Sequence, residues 1–251
     1  MPIAPTRLVT AVSLYGRKKG PLLDLLESVQ ATLTRRLPGS FRPYSLEQIH
    51  GTLIILSGRA DDQVPGAVIG QYYLEHRGER RVIDFERALQ ILQARLAQPI
   101  RIRVGGFGPS DPGPFTSQGR PLAERSFSAR GDALLLMGWP VSSLASGGRA
   151  QPLDALRREM AEAGVLHKYH VRPADVDNDF HLVVGHCADA PAVLVAAAVG
   201  AVREDLAGRS VEFDVGLDQV RILATDSTDL AAPWFSSGLP VAADRIAGLY
   251  S

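Results

Sequence analysis

The sequence predicts an α+β fold in which antiparallel sheets carry helices packed on the outside. Three observations lead there. Stretches that alternate apolar and polar residues are interspersed with stretches whose apolar residues recur at helical spacing. The order strand, helix, strand, helix, strand occurs twice. The middle strand of each half carries a histidine among apolar neighbours, His50 in the first and His181 in the second, about half the chain apart. Helices that show one apolar stripe pack against a sheet from one side.

Residues 7–15 alternate Leu8, Val9, Val12 and Leu14 and read as a strand. Residues 21–37 place Leu22, Leu25, Leu26, Val29, Leu33 and Leu37 on one helical face. Pro21 suits the first turn, and Pro38-Gly39 closes the helix. The His50 strand follows over residues 48–57, and the polar stretch 58–81 has room for one further short strand. Residues 84–97 are helical, with Phe85, Leu89, Leu92 and Leu96 aligned. Residues 99–107 alternate Ile100, Ile102 and Val104 against Arg101 and Arg103, the mark of a half-buried strand.

The second half repeats the plan. A turn at Arg130-Gly131-Asp132 precedes a strand at 133–139, and Leu153, Leu156 and Met160 mark a helix over 152–165. The His181 strand spans 179–187, an Ala/Val-rich helix spans 191–206, and strands are expected at 209–215 and 218–224. Residues 105–118 and 142–151, rich in Gly, Pro and Ser, read as connectors. The reading is one bilobal domain over residues 1–251, with approximate repeats at 7–129 and 130–226 and a central cleft.

Composition excludes several classes. Lys plus Arg and Asp plus Glu each number 27, so there is no basic excess of the kind a nucleic-acid coat protein carries. Cys187 is the only cysteine, which excludes a disulfide framework and a thiolate metal cluster. Residues 1–7 lack a signal-peptide pattern, and the longest apolar run, 191–202, is too short to span a bilayer. A cytoplasmic protein without membrane partners is expected.

A histidine on an apolar strand needs partners for its ring nitrogens once buried. In His50-Gly51-Thr52, side chains two apart point to the same face, so His50 and Thr52 share it while Gly51 faces away. His181-Leu182-Val183 has the same spacing. With these motifs on equivalent strands of a repeated plan, the chain resembles the 2H phosphoesterase superfamily, which carries two His-x-Thr/Ser motifs, one per lobe of a pseudo-twofold α+β fold. The family includes 2′,3′-cyclic nucleotide phosphodiesterases and 2′-5′ RNA ligases of bacterial type. The second motif departs from the pattern, with Val183 where the family has Thr or Ser.

The resemblance implies a metal-independent phosphodiesterase acting on a cyclic or 2′-linked phosphodiester of a nucleotide or RNA end, with no cofactor and with hydrolysis or ligation left open. His50 and His181 would be the acid/base pair, in an assignment left open, and Thr52 would donate to a non-bridging oxygen. An ordinary imidazole pKa near ~6.5 would leave one neutral and one protonated near neutral pH. Val183 and Tyr15 complete the candidate substrate contacts. Tyr15, beside Gly16-Arg17-Lys18-Lys19, either stacks on a base at a phosphate-steering edge or belongs to a solvated turn. Two other readings stay open: a non-catalytic nucleotide or RNA-end binding module, and a scaffold with two coincidental histidines.

Other polar residues read as secondary. His186 lies five positions beyond His181 and is expected to face away from the cleft. His167 and His170 follow a helix and read as cleft-mouth or end-of-helix residues. Asp175, Asp177 and Asp179 alternate like the start of a calcium loop. The loop's glycine and final glutamate are missing, so no metal site is assigned.

Overall fold

A computed structural model describes residues 7–227 and 229–250 of the protein. Residues 1–6, most of the segment read for its lack of a signal pattern, lie outside the described residues. The first half of the chain runs β1 (Leu8–Ser13), α1 (Gly20–Arg36), β2 (Phe41–Pro43), β3 (Gly51–Ile55), β4 (Gly58–Ala60), β5 (Val68–Gly70), α2 (Gln71–Arg77), α3 (Phe85–Leu96) and β6 (Ile100–Gly105). There follow β7 (Thr116–Ser117), β8 (Arg120–Pro121), α4 (Leu122–Arg125), β9 (Phe127–Arg130), β10 (Ala133–Pro140), α5 (Val141–Ala145) and α6 (Pro152–Glu159). The chain ends with β11 (Phe180–Cys187), α7 (Ala192–Ala207), β12 (Ser210–Val215), β13 (Val220–Thr225), β14 (Phe235–Gly238) and α8 (Ala243–Ala247).

Helix starts follow the sequence signals. Pro21 and Pro152 occupy first-turn positions of α1 and α6, where the missing N–H costs nothing. Asp84 caps α3 by accepting a hydrogen bond from the Arg87 amide at 2.9 Å. The expected helix over 152–165 is shorter: α6 tightens into a single 3-10 turn at Met160–Ala163, and Gly164 closes it at φ +74°.

The fold is α+β; most of its strands form one large antiparallel sheet instead of the two sheets expected, and β4-β5 and β7-β8 form two short hairpins apart from it. Ten strands join in the order β12-β6-β10-β11-β3-β1-β13-β14, with β2 added to β11 and β9 to β10. The link between the two sides is a single residue pair, Leu182 opposite Gly51. Halves of the sequence do not map onto halves of the sheet. β6 pairs with β10 and β12, and β13 pairs with β1, so each side of the sheet contains strands from both halves. The Gly51–Leu182 pair makes one sheet of the two sides. The exchange of β6 and β13 between the halves is a long-range pairing, to which local periodicity is blind.

Helices α1, α3, α6 and α7 cover one face of the sheet. Their buried residues, among them Leu26, Leu33, Leu92, Leu156 and Val202, pack with Val9, Ile54, Leu136, Leu182 and Ile222 in the main core. Burying a Leu or Ile side chain contributes about 1.5–3 kcal/mol, so this face supplies most of the stabilisation. The opposite face has two smaller apolar clusters. One holds Phe107, Leu122, Leu135, Met137 and Trp139; the other holds Val12, Leu223 and Leu230. The two histidine strands lie between these clusters. No helix among the described residues is long and apolar enough to cross a membrane.

Candidate functional site

The register of the sheet brings the two motifs side by side. Residues directly opposite in an antiparallel pair share a face. The single Gly51–Leu182 pair brings the residues that flank Gly51, His50 and Thr52, alongside those that flank Leu182, His181 and Val183. Pairing with β10 sets Met137 opposite His181 and Leu135 opposite Val183, and β1 sets Val12 opposite Thr52. All of these side chains belong to the face away from the large helices. His50 and His181 lie on either side of this one bridge, near enough for the charge of His50 to act on His181.

Gly51 is required for this pairing. A Cβ at residue 51 would lie 2.0 Å from Cζ of Phe180, whose ring fills that space on the helix side. Beyond the single bridge β3 and β11 splay apart, and a polar side chain ties the backbone on each side of it. On one side Gln30 of α1 donates to the carbonyls of Tyr44 at 2.8 Å and Val184 at 2.9 Å. On the other, Arg157 of α6, only 1% exposed, donates to the carbonyls of Leu53, Thr52, Asp177 and Asp179 at 3.1, 3.2, 2.9 and 3.0 Å. Arg157 also pairs with the Asp177 carboxylate at 3.2 Å. Sequence reasoning misses this buried cation, since Arg157-Arg158 looks like the solvated side of a helix.

His50 lies just ahead of β3 and is buried. Its Nδ1 is 2.7 Å from the Gln48 carbonyl. A carbonyl can only accept, so Nδ1 carries the proton and the neutral ring presents a lone pair at Nε2. Burial lowers its pKa below the usual imidazole value, against the Gln48 bond, which raises it. The Tyr15 ring sits 6.2 Å from the His50 ring, centroid to centroid, and Tyr15 donates to the Leu230 carbonyl at 3.1 Å. Lys18 is neither solvated nor free to steer a phosphate. It is buried and donates to the carbonyls of Gly16 at 2.9 Å and Glu47 at 3.1 Å, tying down the loop that leads to His50. Desolvation lowers its pKa to about 7.

His181 lines a pocket of about 230 Å³ together with Gln118, Arg125, Ser128, Arg130, Tyr169 and Asp177. Its pKa is lowered to about 4, first by desolvation, then by the charge of Arg157, with His50 adding to the effect. Both histidines are therefore neutral near pH 7 in the unliganded protein. The Thr52 hydroxyl has no hydrogen-bond partner among the described residues. Val183 is half-buried and packs against the Leu135/Met137/Trp139 cluster.

The alternation Asp177, Asp179, His181, Val183 proves to be one face of an extended segment. Asp179 is fully engaged: it accepts from Ser117 at 2.6 Å, Trp139 at 2.7 Å and Arg125 at 2.7 Å. Burial would raise the Asp177 pKa, but Arg157 and His167 together hold it far below the usual carboxylate range. His167 and His170 are not at a cleft mouth. Both are buried, one bonded to Asp177 at 2.7 Å and the other to Asp154 at 2.9 Å, as supports behind the site. The period-two spacing of these aspartates with His181 is the signal in the sequence for their placement.

His186 is a correction. Simple alternation turns it away from the cleft, but β11 carries an irregularity where Leu134 pairs with Gly185 and Leu135 with Val183. The extra residue resets the alternation, so His186, opposite Ala133, shares the face of Val183. Its Nε2 lies 2.5 Å from the Tyr44 hydroxyl. Among the described residues no group of three or more His, Cys, Asp or Glu side chains is placed to hold a metal ion.

No family model matches the chain, and no curated protein matches it. A search of solved structures finds the crystal structure of TT0787 of Thermus thermophilus, which aligns over 92% of this chain and 94% of that one, with a TM-score of 0.35 and 14% identity.

Proposed function

We propose that the protein is a metal-independent phosphodiesterase of the 2H type, acting on a cyclic or 2′-linked phosphodiester of a nucleotide or RNA end. The observation that supports this reading is the position of His50 and His181 on one face, on either side of the single Gly51–Leu182 pair. A phosphate seated between them has a proton acceptor on one side and a proton donor on the other.

His50 fits the base. Its Nδ1–H is committed to Gln48, leaving Nε2 to take a proton from the attacking water. The new P–O bond forms as the ester oxygen on the far side leaves, and that oxygen takes a proton from His181. A neutral His181 must first be protonated, and a bound phosphate anion raises its pKa toward that state. The unpartnered Thr52 hydroxyl donates to a non-bridging oxygen as negative charge grows there. Tyr15, beside His50, offers a ring against the nucleoside.

The packing of Val183 into an apolar cluster favours a second reading, a binding module that holds a nucleotide or RNA end without turning it over. Incubation with 2′,3′-cyclic nucleotides and 2′-5′-linked dinucleotides, in excess EDTA, decides between them. Product formation supports the enzyme; tight binding without product supports the module; neither removes both. Turnover that EDTA abolishes and one divalent metal restores removes the metal-independent mechanism.

A further inference from the structure

The pocket beside His181 lies on the side away from His50. Its walls come from β9 and β10, which follow β11 in the sheet on the side opposite β3, and from residues 118–125. At about 230 Å³ it is smaller than the about 300–1,000 Å³ that a whole ligand fills, so it suits one group of a larger molecule. Its charge selects that group. Arg120, Arg125 and Arg130 line it together with Asp177 and Asp179, whose carboxylates are already met by Arg157 and Arg125. Arg125 is committed to Asp179 at 2.7 Å and Arg120 to Glu124 at 3.2 Å. Arg130 differs: among the described residues it has no carboxylate within ion-pair distance. Its guanidinium donates to the Tyr169 hydroxyl at 2.6 Å and lies 4.9 Å from that ring's centroid. It is thus held in place with its charge uncompensated, and Ser128, opposite Leu135 on the same face, stands next to it.

We infer that this pocket is a second anion subsite, in which Arg130, with Ser128 beside it, receives a second phosphate of the substrate whose scissile phosphodiester lies between His50 and His181. This rests on the function proposed above and narrows it to substrates that carry two phosphates. A planar guanidinium prefers a phosphate's paired oxygens, and an arginine already stacked loses little freedom on binding one. The source is either a 5′-phosphate on a single nucleotide or the next phosphate of an RNA chain, since both present the same dianionic or monoanionic oxygens.

Binding separates this inference from the catalytic proposal. Titration calorimetry at fixed salt compares adenosine 2′-monophosphate, adenosine 2′,5′-bisphosphate and a 2′-phosphorylated diadenylate. A charge-assisted contact predicts that the ligands with a second phosphate bind the wild type about 10- to 100-fold more tightly than the monophosphate. In Arg130→Gln that advantage falls below about threefold, and Arg130→Lys, which keeps the charge but not the fork, retains an intermediate share. Whether the bisphosphate or the diadenylate shows the larger advantage assigns the source, and either supports the subsite. Equal affinities in the wild type, an advantage that survives Arg130→Gln, or no binding by any of the three overturns it. Thermal melts of both variants, which alter an exposed side chain, confirm that the fold is retained. A bisphosphate preference without turnover of any cyclic phosphate would sink the catalytic reading and leave the subsite standing.

Discussion

The ring of Phe180 occupies the space that any side chain in place of Gly51 would need. That contact, 2.0 Å from an ideal Cβ to the ring's Cζ, makes glycine a condition of joining the two motif strands. The residue between His50 and Thr52 therefore sets the spacing between the two walls of the site. Gly51→Ala should destabilise the protein by about 3 kcal/mol, at the upper end of overpacking costs, because the ring has a packed core behind it. Denaturant unfolding measures this. A loss under about 1 kcal/mol would show that the strands tolerate separation.

Arg157 should be the most costly buried side chain to remove. It satisfies four carbonyls and one carboxylate at the fork between β3 and β11. Arg157→Met leaves Asp177 buried with less compensation and should cost about 3–5 kcal/mol. The same change should weaken any activity that depends on His181, since the segment leading into β11 loses its anchor. A mutant of wild-type stability would show that water replaces the guanidinium freely.

Stability should fall as pH drops from about 6.5 toward 4. His167 and His181 each have a folded pKa of about 4, below the unfolded value of ~6.5. In that window the unfolded chain binds protons that the folded protein does not, so acid favours unfolding. Each histidine adds a slope of up to about 1.4 kcal/mol per pH unit there. Below about 4, Asp177 takes over, because its depressed pKa makes its contribution vanish only on protonation. Urea unfolding at pH 7, 6, 5 and 4 checks the sign. Stability that stays flat or rises across the window would contradict a neutral state for both rings in the folded protein.

Val183→Thr probes the departure in the second motif. The valine faces the same side as His181 but packs on an apolar cluster. The added hydroxyl should cost about 1 kcal/mol and leave turnover of a cyclic phosphate within about threefold. A tenfold rise in turnover would show that residue 183 reaches the phosphate.

Much of the fold is legible in the sequence because its signals are local. Helices α1, α3 and α7, and strands β1, β6, β10, β11, β12 and β13, follow from apolar periodicity and from Pro and Gly at their ends. The small elements do not. α2 and α5 lie in stretches that read as polar strand-bearing loop and as connector, and β2, β9 and β14 are short edge strands whose existence depends on tertiary pairing. The candidate histidines stand out by strand context, but what surrounds them does not. Arg157 and Lys18, both buried, and the half-buried Gln30 are polar residues held by bonds to backbone carbonyls, and no sequence period announces that. His186 escapes simple alternation because one extra residue at Val184–Gly185 resets the face of everything beyond it.

Hydrolysis of adenosine 2′,3′-cyclic phosphate by the wild type, His50→Ala, His181→Ala and the double mutant bears most directly on the two-histidine site. If both rings serve one proton-transfer cycle, each single mutant should lose about 10²–10⁴-fold in turnover. The double mutant should then be little worse than either, because groups acting as a unit are not additive. Turnover at the wild-type rate in either single mutant, or none by the wild type itself, would contradict it.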